Sequence, residues 1–166
     1  SRFRGSFDGN GYSITGLKMN KSKTDYIGLF GYTEGATIKN VALEDINVTG
    51  KDSTGGLVGR ADSSTITNSY VTGSVGGVEY STGGLVGRAE GSTITNSYTT
   101  GSVTGRLYTG GLVGSALNLS TISNSYATGS VTGRNDTGGL VGLARSSTIT
   151  NSYVTGEVSG RDYTGG

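Results

Sequence analysis

Two carboxylates recur in similar sequence surroundings, where they could act as a catalytic pair. Asp62 and Glu90 lie 28 residues apart, and each stands two residues after an arginine (Arg60 and Arg88). Two carboxyl groups about 5 Å apart would suit a retaining glycoside hydrolase. The next two copies of the segment carry leucine and arginine at this position, so the pair belongs to ordinary copies of a repeat. We therefore predict no catalytic residues and keep a polysaccharide-degrading enzyme as an alternative.

The chain lacks the residues of most other catalytic and metal sites. It contains no cysteine and no histidine. Their absence excludes disulfides, Cys or His nucleophiles, Ser-His-Asp triads and ordinary zinc sites. We predict a protein without a metal or a cofactor.

A second group of side chains could bind an acidic ligand at a predicted corner. The basic and aromatic members of this group are Lys51, Arg106, Tyr108, Arg134, Arg161 and Tyr163, with Tyr80 as a further tyrosine. Guanidinium groups bind oxyanions and aromatic rings stack on ligands, so the group predicts a face for a host glycan or host protein. The alternative is a solvated turn whose charge is offset by Asp52, Asp136 and Asp162.

Threonine pairs form a third candidate surface. They recur as T-x-T segments at Thr65/Thr67, Thr93/Thr95, Thr121/Ser123 and Thr148/Thr150. On a flat parallel sheet they would form rows of hydroxyl and methyl groups, as in ice-binding solenoids. An ice-binding face is therefore an alternative function. Because threonine is common on exposed β-surfaces, the rows also have a purely structural interpretation.

The carboxylate pair, the basic and aromatic group and the threonine pairs all lie within one repeated sequence, which sets their spacing. The segment GGLVG occupies 55–59, 83–87, 110–114 and 138–142, its first two residues return at 165–166, and a looser copy occupies 27–31. Steps of 27 or 28 residues are typical of a solenoid, whose units stack because none can bury its apolar face alone. In one unit, 56–60, 65–68 and 70–75 have the pattern of short strands. The sequence predicts an all-β parallel β-helix of about six rungs with three strands per rung.

Like residues should line up along the axis of such a fold. We expect inward columns of Ile, Val, Leu and Ala, with Leu57 rather than Val58 inside because Leu57 keeps the alternation with a later alanine. Asn68 and its copies should bond through their amides at a corner. Tyr70 and its copies should stack as a ladder, and Gly73 and its copies should mark a bend or bulge.

The repeat resembles the GLUG repeat of bacterial secreted and cell-surface proteins. The likeness rests on GGLVG followed by STITNSYVTGSV, STITNSYTTGSVTG or STISNSYATGSVTG, and on FRGSFDGNGYSITGL over 3–17. It implies a right-handed parallel β-helix exported by a bacterium. Such repeats occur in adhesin-like proteins and in the non-catalytic part of immunoglobulin A-specific metallopeptidases. The stretch 41–48 departs from the pattern by an extra residue, so the face of that rung should differ.

The net charge and the distribution of apolar residues limit the possible partners of the chain. The net charge of +1 gives no general attraction to nucleic acid, and no apolar run is long enough for membrane insertion. We expect one β-helix domain over 1–166, part of a longer protein, with an N-terminal rung at 1–26 and repeats at 27–54, 55–82, 83–109, 110–137 and 138–164. Open sheet edges would favour end-to-end self-association. The predicted function is a stalk, display or adhesin module of an extracellular or cell-surface protein.

Overall fold

Successive repeats stack on one another as a parallel β-solenoid of about six turns. The structure is a computed structural model that describes residues 1–166. Each strand pairs in parallel with its equivalent one repeat away: Thr65 lies beside Thr93, and Ile66 beside Ile94. The prediction of an all-β parallel β-helix is confirmed. No helix is present that could cross a membrane.

The strands, numbered in chain order, form four sheets that run along the solenoid. The threonine sheet contains β1 (Ser6–Asp8), β5 (Thr37–Lys39), β9 (Thr65–Thr67), β13 (Thr93–Thr95), β18 (Thr121–Ser123) and β23 (Thr148–Thr150). The arginine sheet contains β4 (Phe30–Glu34), β8 (Val58–Asp62), β12 (Val86–Glu90), β17 (Val113–Leu117) and β22 (Val141–Arg145). The Thr-Gly sheet contains β7 (Thr54–Gly55), β11 (Tyr80–Gly83), β16 (Leu107–Gly110), β21 (Asn135–Gly138) and β26 (Asp162–Gly165).

The fourth sheet, the tyrosine sheet, has strands of unequal length. It contains β2 (Ser13–Thr15), β3 (Lys18–Lys21), β6 (Ala42–Gly50), β10 (Tyr70–Gly77), β14 (Tyr98–Thr99), β15 (Ser102–Thr104), β19 (Tyr126–Ala127), β20 (Val131–Thr132), β24 (Tyr153–Val154) and β25 (Val158–Ser159). A rung therefore crosses four sheets. The prediction of three strands per rung missed the Thr-Gly sheet, because its short Gly-rich strands read as turns in the sequence.

Glycine allows the Thr-Gly sheet to lie directly on the backbone of the arginine sheet. A methyl group added at Gly87 would lie 2.5 Å from the backbone nitrogen of Thr54, and one added at Gly114 would lie equally close to that of Thr82. No real side chain tolerates such a distance. The repeated glycines of GGLVG thus close each coil through backbone-to-backbone packing.

Isoleucine and valine columns fill the interior as predicted. The side chains of Ile66, Ile94 and Ile122 are fully buried, and Val75 and its copies at 103 and 131 are at most 3% exposed. The choice of Leu57 over Val58 was wrong in part, because both residues are fully buried in one core cluster. The chain bends between β7 and β8, so simple alternation does not hold across this pair.

The predicted bulge at Gly73 is confirmed. The backbone of Gly73 has φ +115°, and the pairing of β10 with β6 shifts register there. Between the two flanking residue pairs, β6 runs through three residues while β10 runs through two. This bulge accommodates the extra residue of the 41–48 stretch. Asp45 takes a left-handed conformation (φ 52°) in this stretch, so its rung differs from the others as expected.

The asparagine column lies at a corner, but its amides do not bond to one another. Asn68, Asn96 and Asn124 adopt left-handed backbone conformations with φ of 48–49°, which asparagine tolerates better than most residues. The buried serine that follows each asparagine makes the inter-rung bonds: the backbone nitrogen of Ser69 donates to Ser97 Oγ, and Ser97 to Ser125 Oγ, each at 3.2 Å. The amide prediction was wrong because the serine hydroxyl is the group that faces the next rung.

Candidate functional site

The two predicted carboxylates belong to a closed ion-pair network, here called the Arg60 network, of Tyr32, Arg60, Asp62, Arg88 and Glu90. Arg60 Nε donates to Asp62 Oδ1 at 2.9 Å, and its Nη2 donates to Glu90 Oε2 at 2.7 Å. Arg88 Nη2 donates to Glu90 at 3.3 Å. The Tyr32 hydroxyl donates to the other oxygen of Asp62. One guanidinium thus bridges carboxylates of two rungs.

Hydrogen bonds within the Arg60 network favour the neutral form of the Tyr32 phenol and the charged form of the Arg60 guanidinium. The hydrogen bond to Asp62 raises the pKa of the Tyr32 phenol, and burial adds to this effect. The same carboxylate raises the pKa of Arg60, against the lowering effect of burial. Asp62 and Glu90 are each only 20% exposed and are bound to arginine. The geometry provides a structural ion-pair ladder rather than a free acid and base around a bound sugar.

The predicted basic corner has a different order from the one expected. Strand pairing aligns Tyr80 with Leu107, so Glu79 occupies the same column as Arg106. Glu79 therefore separates Lys51 from the arginines, and Lys51 Nζ lies 4.0 Å from Glu79 and 3.7 Å from Asp25. Lys51 belongs to an acidic neighbourhood and does not extend the arginine column.

The remaining arginines form a continuous stack, here called the arginine column, of Arg106, Arg134 and Arg161. The backbone nitrogen of Arg134 donates to the carbonyl of Arg106 at 3.1 Å, and that of Arg161 donates to Arg134 at 3.0 Å. All three residues are exposed. The structure thus brings together three of the four predicted basic residues.

The tyrosines of this corner do not form one platform. Tyr108 and Tyr163 share a left-handed corner position with φ of 55° and 52°, but Asp136 lies between them on the intervening rung. Tyr80 lies in a neighbouring column, and its ring centroid is 6.2 Å from that of Tyr108. Tyr163 is 82% exposed. Each ring is therefore available singly rather than as a stacked surface.

The threonine pairs form two rows in register on the threonine sheet. Thr65, Thr93, Thr121 and Thr148 make the first row, and Thr67, Thr95, Ser123 and Thr150 make the second. We call these eight residues the threonine face. The rows are not chemically uniform, because the Ser123 hydroxyl donates to Thr95 Oγ1 at 3.1 Å. One pair of hydroxyl groups is thus bonded within the face.

The predicted tyrosine ladder is confirmed and is self-contained. The ring centroids of Tyr70, Tyr98, Tyr126 and Tyr153 are 4.7–4.9 Å apart, and the rings are within 7° of parallel. Because each ring face is covered by the next ring, the ladder cannot stack on sugars along its length. Glu44 accepts a hydrogen bond from the Tyr70 hydroxyl at 2.6 Å, which raises the pKa of Tyr70 to about 12.

Two buried polar columns were not predicted from the sequence, and only the first of them links the rungs by hydrogen bonds. The serines at 64, 92 and 120 form a second buried ladder of hydroxyl groups that accept backbone N–H bonds. Buried threonines of the Thr-Gly sheet leave their hydroxyls without hydrogen bonds; they are Thr54, Thr82, Thr109 and Thr137. The signal for both was present, since these residues recur in every copy.

The fold and its regular surfaces define a β-solenoid repeat module. The GLUG motif matches four segments, 52–76, 79–104, 105–132 and 133–159, which cover more than half of the chain. The chain belongs to the GLUG-motif family.

Similar proteins are much longer than this chain. A stretch of 76 residues is 37% identical to halomucin of Haloquadratum walsbyi, covering 45% of this chain and 1% of halomucin. A stretch of 50 residues is 42% identical to a candidate Gly-rich membrane protein of Evansella cellulosilytica, covering 30% of this chain and 6% of that protein. Because halomucin is archaeal, a bacterial source for this chain stays a prediction.

One solved structure shares the fold. The crystal structure of a candidate immunoglobulin A1 protease from Bacteroides ovatus matches with a TM-score of 0.71 at 23% identity, over 95% of this chain and 59% of that one. At this level of identity the similarity concerns the fold alone.

Proposed function

We propose that this chain is a non-catalytic spacer that displays other parts of a cell-surface or secreted protein. The observation that carries the proposal is the constant register of the arginine sheet, whose strands pair in parallel with equivalent residues side by side from β4 to β22. A catalytic cleft needs a break in such a scaffold to concentrate polar groups in a concave site. The names of halomucin and of the Gly-rich membrane protein support a location at the cell surface.

A parallel solenoid is suited to this role because its length is set by the number of rungs. Each added rung extends the axis by about 4.8 Å, the spacing of neighbouring strands. Backbone hydrogen bonds run between rungs, as from Leu57 to Leu85 and from Leu85 to Leu112. Growth by repeats therefore lengthens the module without changing its cross-section.

Small-angle X-ray scattering on a lengthened protein tests the spacer proposal. Three further copies of 83–109 are inserted after Thr109, and a second variant receives a Gly/Ser segment of equal length there. We expect the repeat insertion to lengthen the particle by about 14 Å with an unchanged cross-sectional radius. The Gly/Ser variant should instead show a flexible, expanded profile. An increased cross-section in the repeat variant would contradict the proposal.

An activity assay separates the spacer from the enzyme alternative. The protein is incubated with polygalacturonate, xylan and chitin, and new reducing ends are measured. We expect none above the level of an Asp62→Asn, Glu90→Gln double variant. Product release that disappears in the double variant would assign catalysis to the Arg60 network.

The threonine face supports ice binding as a second candidate function. The specific observation is the register of its two rows over four rungs. Thr65→Tyr with Thr93→Tyr would disrupt both the spacing and the flatness of the first row, whereas Thr104→Tyr changes an exposed residue of the tyrosine sheet. If the face binds ice, the wild-type protein and the Thr104 variant show thermal hysteresis and the double variant does not. Absence of hysteresis from the wild type would remove this candidate.

A further inference from the structure

The arginine column differs from the other arginines in having little local charge compensation. Of the eight arginines, Arg2, Arg4, Arg60 and Arg88 each have a carboxylate within 3.3 Å. Arg106 and Arg134 have none within 4.0 Å, and Arg161 reaches Asp162 only at 3.8 Å with its side chain 67% exposed. The column is an exposed row of positive charge with free hydrogen-bond donors.

The backbone explains why nearby acidic residues leave these guanidinium groups free. On the arginine sheet, residues two apart share a face, so Asp62 meets Arg60. At the corner, Asp136 stands two residues after Arg134 but takes a left-handed conformation with φ 50°. This turn of the chain breaks the alternation, and no ion pair forms between Arg134 and Asp136 in the structure.

We propose that the arginine column binds an extended anionic polysaccharide that carries one acid group on each sugar and runs along the solenoid axis. The guanidinium groups recur once per rung, which is about 4.8 Å. A 1,4-linked pyranose chain advances by a similar distance per sugar, and its acid groups alternate around the chain axis. The long, exposed arginine side chains can reach acid groups on either side of a chain that lies along the column. Each guanidinium fork can bind a carboxylate or a sulfate through two parallel hydrogen bonds.

Two further features fit such a ligand and set its limits. Tyr163 presents a ring that is 82% exposed next to the last arginine, where it can stack on a sugar face. Glu79 occupies the column position before Arg106 and repels an acid group there. The column therefore has room for three consecutive acid groups.

Nucleic acid fits the column less well. The phosphates of one strand of duplex DNA advance by about 3.4 Å along the helix axis, and the strand winds around that axis, so a straight row of guanidinium groups with one-rung spacing cannot follow them. The chain as a whole has a net charge of only +1, which provides no wider basic surface for a polyanion of high charge density.

Binding to defined polymers tests the proposal. Polygalacturonate supplies carboxylates, cellulose sulfate substituted once per glucose supplies sulfates, and dextran is the neutral control, each measured by calorimetry at low salt. We expect binding to at least one anionic polymer, no binding to dextran, and loss of binding at high salt. Carboxylate and sulfate sources are distinguished by which polymer binds. No binding to either anionic polymer, or tighter binding of oligo-thymidine, would overturn the proposal.

Variants locate the binding on the surface. Arg106→Gln and Arg134→Gln should each weaken binding about threefold to fivefold, and together about tenfold or more. Arg145→Gln is the matched control, because Arg145 is also exposed and unpaired but lies on the arginine sheet. Asp136→Asn should strengthen binding. Equal weakening by Arg145→Gln would contradict a site at the column; thermal unfolding checks that each variant is folded. The spacer function does not depend on this site, so the two proposals fail separately.

Discussion

The Arg60 network and the arginine column use the same residue type at the same one-rung spacing, yet they have opposite local chemistry. In the network, Arg60 binds carboxylates of two rungs at 2.7–2.9 Å and its side chain is 23% exposed. In the column, Arg106 and Arg134 are exposed and bind no carboxylate. The difference lies in the backbone between the arginine and its acidic neighbour. A straight strand brings residues two apart together, and a left-handed corner separates them.

A repeat protein can thus carry a structural surface and a free surface on one scaffold. The network lies on a regular sheet, where polar groups satisfy one another and stabilise the stack. The column lies at a corner, where side chains project singly into solvent.

The largest loss of stability should come from a glycine substitution that disrupts the stacking of the coils, on which both the Arg60 network and the arginine column depend. A methyl group at Gly101 would overlap the carbonyl oxygen of Gly73, whereas one at Gly76 has its nearest neighbour at 3.5 Å. We expect Gly101→Ala to lower the free energy of unfolding by more than about 3 kcal/mol and Gly76→Ala by less than about 1 kcal/mol. Urea unfolding followed by circular dichroism measures both. Similar losses in the two variants would contradict the backbone packing described here.

Removal of Arg60 should have an intermediate effect on stability. Arg60→Ala leaves Asp62 and Glu90 partly buried with fewer partners, and we expect the free energy of unfolding to fall by about 1–3 kcal/mol. Arg60→Lys keeps the charge but loses the fork that bridges two carboxylates, so its loss should be smaller. Both are measured by urea unfolding. A loss below about 0.5 kcal/mol for Arg60→Ala would mean that the network is not structural.

The same truncation in the arginine column should leave stability almost unchanged. We expect Arg106→Ala with Arg134→Ala to change the free energy of unfolding by less than about 0.5 kcal/mol, because neither side chain has a partner to lose. At low salt the double variant should be slightly the more stable, since repulsion between like charges is removed. Unfolding at low and high salt checks this, and a clear destabilisation would show that the column is structural.

The last prediction concerns a carboxylate, Glu44, that is bonded to a tyrosine hydroxyl rather than to an arginine. Glu44 raises the pKa of Tyr70 to about 12, so the neutral phenol is favoured in the folded state. The stabilisation by this pair is complete below the ordinary tyrosine pKa of about 10 and is lost as the pH rises from about 10 to 12. In Glu44→Gln the pKa of Tyr70 should fall. Ultraviolet titration of tyrosinate measures it, and an unchanged titration curve would contradict the pair.

Much of the scaffold could be predicted from sequence because identical residues recur at a fixed period. The isoleucine column around Ile66 and the ladder from Tyr70 follow directly from that period and from strand alternation. A bend interrupts strand alternation before Val58, so Val58 is buried although alternation predicts it outside. Glu79 interrupts the predicted basic column because it replaces the basic residue in one copy only. Whether a guanidinium finds a carboxylate depends on backbone direction at each corner, which a residue pattern does not specify.

Pulsed electron resonance between paired spin labels tests the stacking of repeats most directly. The chain has no cysteine, so Ser6→Cys or Thr37→Cys can each be combined with Thr148→Cys and labelled without background. These residues lie in one row of the threonine sheet, in which Ser6 is five strands and Thr37 is four strands away from Thr148. The stacked solenoid predicts separations of about 24 Å and 19 Å between the labelled backbone positions. Two distances that do not differ by about one strand spacing, or a broad distribution for both pairs, would contradict it.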